Sequence, residues 1–371
     1  MVSREIGDLA SAFTDLDRSL AINRNNPVVW MNRGVVLQAQ GKFLLAARDF
    51  NEAIRINPKL ANAHFNIGLA FYALSDFEQA ISGCDKAIEL KGSDPIWFIS
   101  RGSAKFNAGD FRGAEIDYRA ALKLNALLSD AYVGLCNLAF LKNDFKTALK
   151  DAEKSVRLQP NNAMALNARG WILFKQGKNE EAISDFDHAL EYAPDFPLAY
   201  ANRGVCYVQQ NDFSKAVADH TRHIELDPEN AVAYSNRAVA WFGMGDYQKT
   251  ADDFIRAEKL APELDEALNG HAWFLATCPD EAFRNEKLVI EKSKKACGLT
   301  NFRDWYQLDT LAAAFAETRD FKSAVKWAKQ ALEIAPAAKK SICKQQLQRF
   351  ERSEPFQSQV GKNAEEGILG S

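Results

Sequence analysis

One feature dominates this sequence: its residues recur every 34 positions. A closing proline stands at Pro58, Pro160, Pro194, Pro228 and Pro262, with Gly92 and Ala126 at the two skipped steps. One small-residue column runs Gly34, Gly68, Gly102, Cys136, Gly170, Gly204, Ala238, and a second runs Ala46, Ala80, Ala114, Ala148, Ala182, Ala216, Thr250. A fixed period of this length specifies a stack of identical supersecondary units, in which each unit buries its apolar face against its neighbours. It overrides the division into two or three globular domains that 371 residues would otherwise suggest.

The geometry of one unit follows from its residues. Apolar positions at helical spacing fill Val29–Leu37 and Leu44–Ile56. Between them lies Gly41-Lys42, which later copies write as Gly109-Asp110, Asn143-Asp144, Asn211-Asp212 and Gly245-Asp246. Gly or Asn suits the left-handed residue that ends a helix, and Asp suits the cap that starts the next. Each unit is therefore predicted to be a helical hairpin. Residues equidistant from the turn should meet: Trp30 with Ala53, Leu37 with Ala46, Gly34 with Phe50. Arg33 and Asp49 are also equidistant, and the pair recurs as Arg101/Asp117, Arg169/Asp185, Arg203/Asp219 and Arg237/Asp253. Both members are lost together at Ile67 and Gly83, whereas Leu135 faces Asp151. The column reads either as internal ion pairs or as a row of arginines gripping acidic partners.

These offsets resemble the tetratricopeptide repeat (TPR). The unit offers Trp30, Arg33-Gly34, Leu37, Ala46, Phe50, Ala53 and Pro58, and later Tyr200, Arg203-Gly204, Tyr207, Ala216, His220, His223 and Pro228. It departs from the pattern in Arg for Leu and in the two histidines. The resemblance covers residues 5 to about 338 and implies an all-α, right-handed superhelical solenoid of TPR hairpins. The stretches LATCPD and LDTLAAA resemble the closing segment of multi-repeat bacterial TPR proteins, which often carry the array attached to another domain.

Read in order, residues 1–26 form a half repeat containing only the second helix, with Gly7-Asp8 matching the turn. Residues 27–264 hold seven 34-residue units, 265–304 an expanded unit and 305–338 a further unit. Residues 339–352 form a capping helix with Ile342, Leu347 and Phe350 inward, and 353–371 a polar tail expected to be disordered. The half repeat suggests the tail of a longer chain, or a short natural start that caps the array.

Composition narrows the chemistry. Net charge is −3, which argues against a nucleic-acid footprint, and no apolar run reaches membrane-spanning length. No leader is visible, and a cytoplasmic location is expected. The six cysteines form no CxxC pair. Cys278 and Cys297 lie about 18 Å apart along their hairpin at 1.5 Å per residue, so all six are expected reduced. His220 and His223 fall in the Phe50 and Ala53 packing columns rather than in a ligand set. No phosphate loop, nucleophile elbow or zinc motif is found, so no catalytic residue, metal or cofactor is expected.

What such an array offers is a groove for other proteins. In the TPR family the first helix of each hairpin lines the concave face. Asn32, Asn66, Asn202 and Asn236 fall there, and a side-chain amide can donate to and accept from a peptide backbone at once. This ladder resembles the one in O-GlcNAc transferases, although Ser100, Gly134, Ala168 and Gly270 interrupt it. Phe65, Trp171 and Trp273 are the candidate apolar anchors, beside a column Tyr72, Phe106, Phe140, Phe174 and Phe242 that reads equally as packing between repeats. The chaperone-type carboxylate clamp of the family is not formed: Asn167 and Trp171, or Ala201 and Val205, stand where Lys and Asn are needed, and Val232 and Asn236, or Glu266 and Gly270, where Lys and Arg are needed. The chain is thus expected to be a non-enzymatic scaffold binding peptide or helical segments. The alternatives are the accessory array of a larger kinase- or glycosyltransferase-like enzyme, and self-association through the terminal helices.

Overall fold

A computed structural model describes residues 2–355, with side chains from residue 9 onward. Most of the predicted polar tail, residues 356–371, lies outside the described residues. Among the described residues there are twenty α-helices and no strand. They fall into two compact units, residues 1–172 and 173–371.

The first unit opens with α1 (Val2–Ile22). It continues with α2 (Pro27–Ala39) and α3 (Phe43–Ile56), α4 (Ala61–Ala73) and α5 (Phe77–Leu90), α6 (Pro95–Asn107) and α7 (Phe111–Leu124), and α8 (Ser129–Leu141) and α9 (Phe145–Leu158). The helix α10 (Ala163–Lys175) contains the division. The second unit holds α11 (Asn179–Tyr192), α12 (Pro197–Gln209) with α13 (Phe213–Leu226), and α14 (Ala231–Met244) with α15 (Tyr247–Leu260). It ends with α16 (Asp265–Thr277), α17 (Glu286–Leu299), α18 (Trp305–Glu317), α19 (Phe321–Ile334) and α20 (Lys340–Glu351).

Local chemistry makes these hairpins. Gly41, Gly109, Gly177 and Gly245 take left-handed φ values of 74 to 83°, and Asn143 and Asn211 do the same at 57 and 60°. That conformation is nearly free for glycine and tolerable for asparagine. Ser75 and Arg319 occupy it in the other two turns. The next residue caps the second helix: Asp76, Asp110, Asp144, Asp212, Asp246 and Asp320 each accept a backbone N–H three residues on. Lys42 and Lys178 hold the same place and provide no side-chain cap. Proline at the first position of α2, α6 and α12 sits where its missing N–H costs nothing. In α1 the helix runs unbroken through Gly7-Asp8, so these residues do not form the turn that the repeat register predicts.

Packing follows the predicted large-against-small rule. A methyl placed on Gly34 would sit 2.6 Å from the Phe50 ring, and on Gly204 2.6 Å from the His220 ring. These helices approach because the glycines leave space for the rings. Tyr118 presses on Gly102 of its own hairpin and on Gly134 of the next first helix. Gly134 is one of the interruptions of the asparagine ladder, and the Tyr118 ring occupies the space its side chain would need. His220 fills the Phe50 column with 0 % exposure, and neither ring nitrogen has a hydrogen-bond partner among the described residues. Burial lowers its pKa to about 3, so the ring is neutral. The six cysteines are all free and buried.

The core differs between the units. The first holds separate clusters between successive hairpins, such as Leu37, Phe50 and Ile67, or Ala114, Tyr118 and Leu138. In the second one cluster runs from Val208 through Phe254, Trp273 and Phe274 to Leu347 and Phe350. The C-terminal α20 sends Cys343, Gln346, Leu347 and Phe350 inward. Gln346 lies beside Asp309 of α18, which is 2 % exposed. Asp309 Oδ1 and Gln346 Oε1 have no partner among the described residues. Burial pushes the Asp309 carboxyl up to about 7, opposed by the adjacent Gln346 amide.

Candidate functional site

The arginine column is an internal fastening. Arg33 makes paired bonds to Asp49, Nε to Oδ2 at 2.7 Å and Nη2 to Oδ1 at 2.9 Å, across its own hairpin. Its remaining Nη1 reaches back to Asp17 of α1 at 2.6 Å. Arg101 repeats this with Asp117 and, on α5, Asp85; Arg203 with Asp219 and, on α11, Asp187. Arg237 pairs with Asp253, and Thr221 replaces the second carboxylate. Each guanidinium also lies over an aromatic ring of its own first helix, Trp30, Phe98, Tyr200 or Tyr234. The bonds to Asp49, Asp117 and Asp253 hold Arg33, Arg101 and Arg237 above the ordinary arginine range against burial. These four arginines, 16 to 19 % exposed, have their forks engaged within the fold. Where Leu135 replaces the arginine, burial pushes the Asp151 carboxyl up. At the eighth step of the column stands His271, with Nδ1 2.7 Å from Glu258.

Within each unit, the surface open to a ligand is the outer stripe of the first helices. Positions 2, 6 and 9 of a helix share one face, at spacings of four and three. In α2 these are Val28, Asn32 and Val35 and in α12 Leu198, Asn202 and Val205; in α14 they are Val232 and Asn236, while Val239 turns into the core. Val28 is 48 % exposed and Leu198 52 %, and Ile96, Met164 and Val232 are also exposed at the same position. Asn32 is exposed, while Asn66, Asn202 and Asn236 are half-buried. The exposed apolar residue at position 2 was not singled out from the sequence. Its signal was present there, as an apolar side chain directly after the residue that starts most first helices.

The apolar anchors are distributed otherwise than expected. Phe65 is half-buried, its ring 5.8 Å from Trp97 between α4 and α6, and Trp171 is half-buried on α10. Trp273 is a correction: it is fully buried in the second unit's core, where no ligand reaches it. The helix α16 packs against α14, α17 and α18, so the position that faces outward in α2 faces inward there. Members of the aromatic column bracket the turn of their own hairpin: Tyr72 meets Phe77, Phe106 meets Phe111, Phe140 meets Phe145 and Phe242 meets Tyr247, with centroids 5.5 to 6.0 Å apart. Edge-on pairs of this kind add modestly to burial, and the turn uses them. Among the described residues no group of three His, Cys, Asp or Glu is placed to hold a metal ion, and no helix is long and apolar enough to cross a membrane.

Comparison with known proteins agrees with this architecture. Family models described as tetratricopeptide repeat match residues 61–94, 99–163, 152–184 and 197–230, and one described as TPR repeat matches 39–75 and 170–211. The chain is 31 % identical over 85 residues to the heat-shock protein cognate co-chaperone sgt12 of Aspergillus fumigatus, covering 23 % of this chain and 25 % of that protein. It is 28 % identical over 99 residues to heat shock protein STI1 of Saccharomyces cerevisiae, covering 24 % and 17 %. With human tetratricopeptide repeat protein 13 it shares 25 % over 131 residues, covering 35 % and 15 %. The matches thus span a quarter or less of these relatives' lengths. Among solved structures, a tetratricopeptide repeat protein from Parabacteroides merdae superposes with a TM-score of 0.56 at 18 % identity, over 64 % of this chain and 93 % of that one. The anaphase-promoting-complex assembly Cut9–Hcn1 gives 0.64 at 12 % identity, over 91 % and 81 %. Hairpins closed by left-handed turns, the small-residue columns and these matches lead to one conclusion: the chain is an array of tetratricopeptide repeats.

Proposed function

We propose that this chain is a protein-interaction scaffold that binds extended peptide or helical segments along the first-helix stripes of its units. The observation that carries the reading is the recurrence of an exposed apolar residue one turn from an asparagine, as in Val28/Asn32, Leu198/Asn202 and Val232/Asn236. An apolar contact anchors a partner side chain, and an amide that both donates and accepts serves any peptide backbone. Internal use of Arg33, Arg101, Arg203 and Arg237 supports placing recognition on amides and apolar groups rather than on a cationic column. The co-chaperone sgt12 among the relatives fits a protein-binding role. Of the sequence-derived anchors, Phe65 and Trp171 stay in the proposal and Trp273 leaves it.

The test is a pull-down from the source-cell lysate with wild type and with the Asn32/Asn66/Asn202/Asn236→Ala variant, each checked by thermal unfolding. A partner lost by a variant that still folds supports the stripe. An unchanged set of partners refutes it. A second reading is that the array serves a larger protein with its own chemistry. A TPR repeat-containing thioredoxin of Arabidopsis thaliana, 31 % identical over 74 residues, favours it; 20 % of this chain and 11 % of that protein are covered. Reading the genomic frame on both sides of the chain decides between them.

A further inference from the structure

Charge is unevenly spread along the chain. Residues 284–352 carry 15 Lys and Arg against 8 Asp and Glu, whereas residues 1–283 carry 30 against 38. The ninth residue of the second helix takes part in the change, although α7 already carries Arg119 there. In α5 and α11 it is Asp85 and Asp187, each bonded to the arginine of the following hairpin. In α17 and α19 it is Lys294 and Lys329, and the arginine column has ended. The sign is inverted and the internal partner is absent, so these ammonium groups face solvent. Lys322, Lys326 and Lys329 stand at intervals of four and three along α19, on one exposed face. Lys329 has Glu351 at 3.7 Å, while Lys294, Lys322 and Lys326 have no carboxylate partner among the described residues.

Two of these lysines are held in place. Lys294 lies 5.5 Å over the Phe315 ring, and Lys326 lies 4.8 Å over Trp327. Both rings pack on the cluster of Cys297, Leu308, Leu311 and Ala331. The stems cover apolar surface and the charged heads point outward. We propose that the α17–α19 face is a docking surface for an acidic segment of a partner protein, separate from the first-helix stripe and not dependent on it. Charge complementarity selects the occupant, with Glu286, Glu291 and Glu333 as the exposed acids on the same helices. Nucleic acid is disfavoured by the rings: Trp327 carries Lys326 and also stacks on Phe302 at 5.4 Å, leaving no open indole face for a base.

The experiment measures anisotropy of a fluorescein-labelled glutamate-rich peptide with the full chain, at about 50 mM and about 300 mM NaCl. Wild type is expected to bind at low salt and weaken at high salt. The Lys294/Lys322/Lys326/Lys329→Gln variant is expected to bind about tenfold or more weakly. The Lys322→Glu/Lys329→Glu variant, which touches neither ring, should fold as wild type and also lose binding. A control that removes Lys142, Lys146, Lys150 and Lys154 by substitution to Gln, and the asparagine-stripe variant above, should bind unchanged. Equal loss in the lysine control, or no binding by wild type, overturns the proposal. So does tighter binding of single-stranded oligothymidine or of phosphatidylserine vesicles with the same variant dependence. Loss in the asparagine variant alone would leave the stripe standing and remove this face.

Discussion

Replacing Asp309 with asparagine should make the array more stable at alkaline pH and remove part of its pH dependence. The carboxyl is buried between α18 and α20 and titrates at about 7 instead of its ordinary 3.8. The folded state therefore holds a proton that the unfolded state releases. Stability from this proton is fully present below about pH 4, declines as pH rises, and is lost above about pH 7. A pKa difference of about three decades corresponds to at most about 4 kcal/mol, at about 1.4 kcal/mol per decade. The proton also supplies a donor beside two buried acceptor oxygens, Asp309 Oδ1 and Gln346 Oε1, that otherwise lack one. The neighbouring titratable groups stay out of the window, because burial pushes Cys343 up to about 11 and Tyr306 well above its ordinary 10. The assay is urea unfolding of wild type and Asp309→Asn, followed by circular dichroism from about pH 5 to about pH 8. Taking the difference between the two proteins at each pH cancels groups they share. The variant should gain on wild type as pH rises, by about 2–4 kcal/mol at about pH 8. A constant difference across the range would refute the reasoning.

Other consequences can be checked on the same chain. His220→Phe should raise the melting temperature, with a gain of about 1–2 kcal/mol, because it replaces two unpartnered buried nitrogens with the ring the column elsewhere holds; a lower melting temperature would mean that the site cannot accept the larger ring. Lys42→Asp and Lys178→Asp should each add about 1 kcal/mol in urea unfolding. Their backbones, φ −89 and −90°, match that of the capping Asp212 at −88°. Arg203→Leu should cost about 2–4 kcal/mol, between the limits for exposed and buried pairs, and Arg203→Leu/Asp219→Leu should recover part of the loss; an unchanged single variant would show that the fastening adds nothing.

What the sequence disclosed was whatever recurs. Left-handed Gly and Asn, the capping Asp and the Arg–Asp pairs each appear several times at fixed offsets, so chance cannot mimic them. The second carboxylate of the fastening was equally legible, since Asp17, Asp85 and Asp187 lie 16 residues before Arg33, Arg101 and Arg203. It was overlooked because pairing was sought only within a hairpin. Trp273 was misplaced for a physical reason. Periodicity assigns it to an outer column, but α17 and α18 wrap its helix, and no repeat rule carries that information. Gln346 was missed because a polar residue on a basic helix gives no sign of burial until its partner, Asp309, is located in space.

The arginine fastening also bears on how the array comes apart. Each guanidinium clasps the second helix of its own hairpin and that of the one before, so two neighbours share one charged knot. Hairpins joined this way should open as a block, and the array should part where the knot is missing. In the first unit Ile67 and Leu135 mark such places, where α3 meets α4 and α7 meets α8. Opening should therefore proceed in steps of unequal length, with seams at residues 57–60 and 125–128, although the repeat itself is regular.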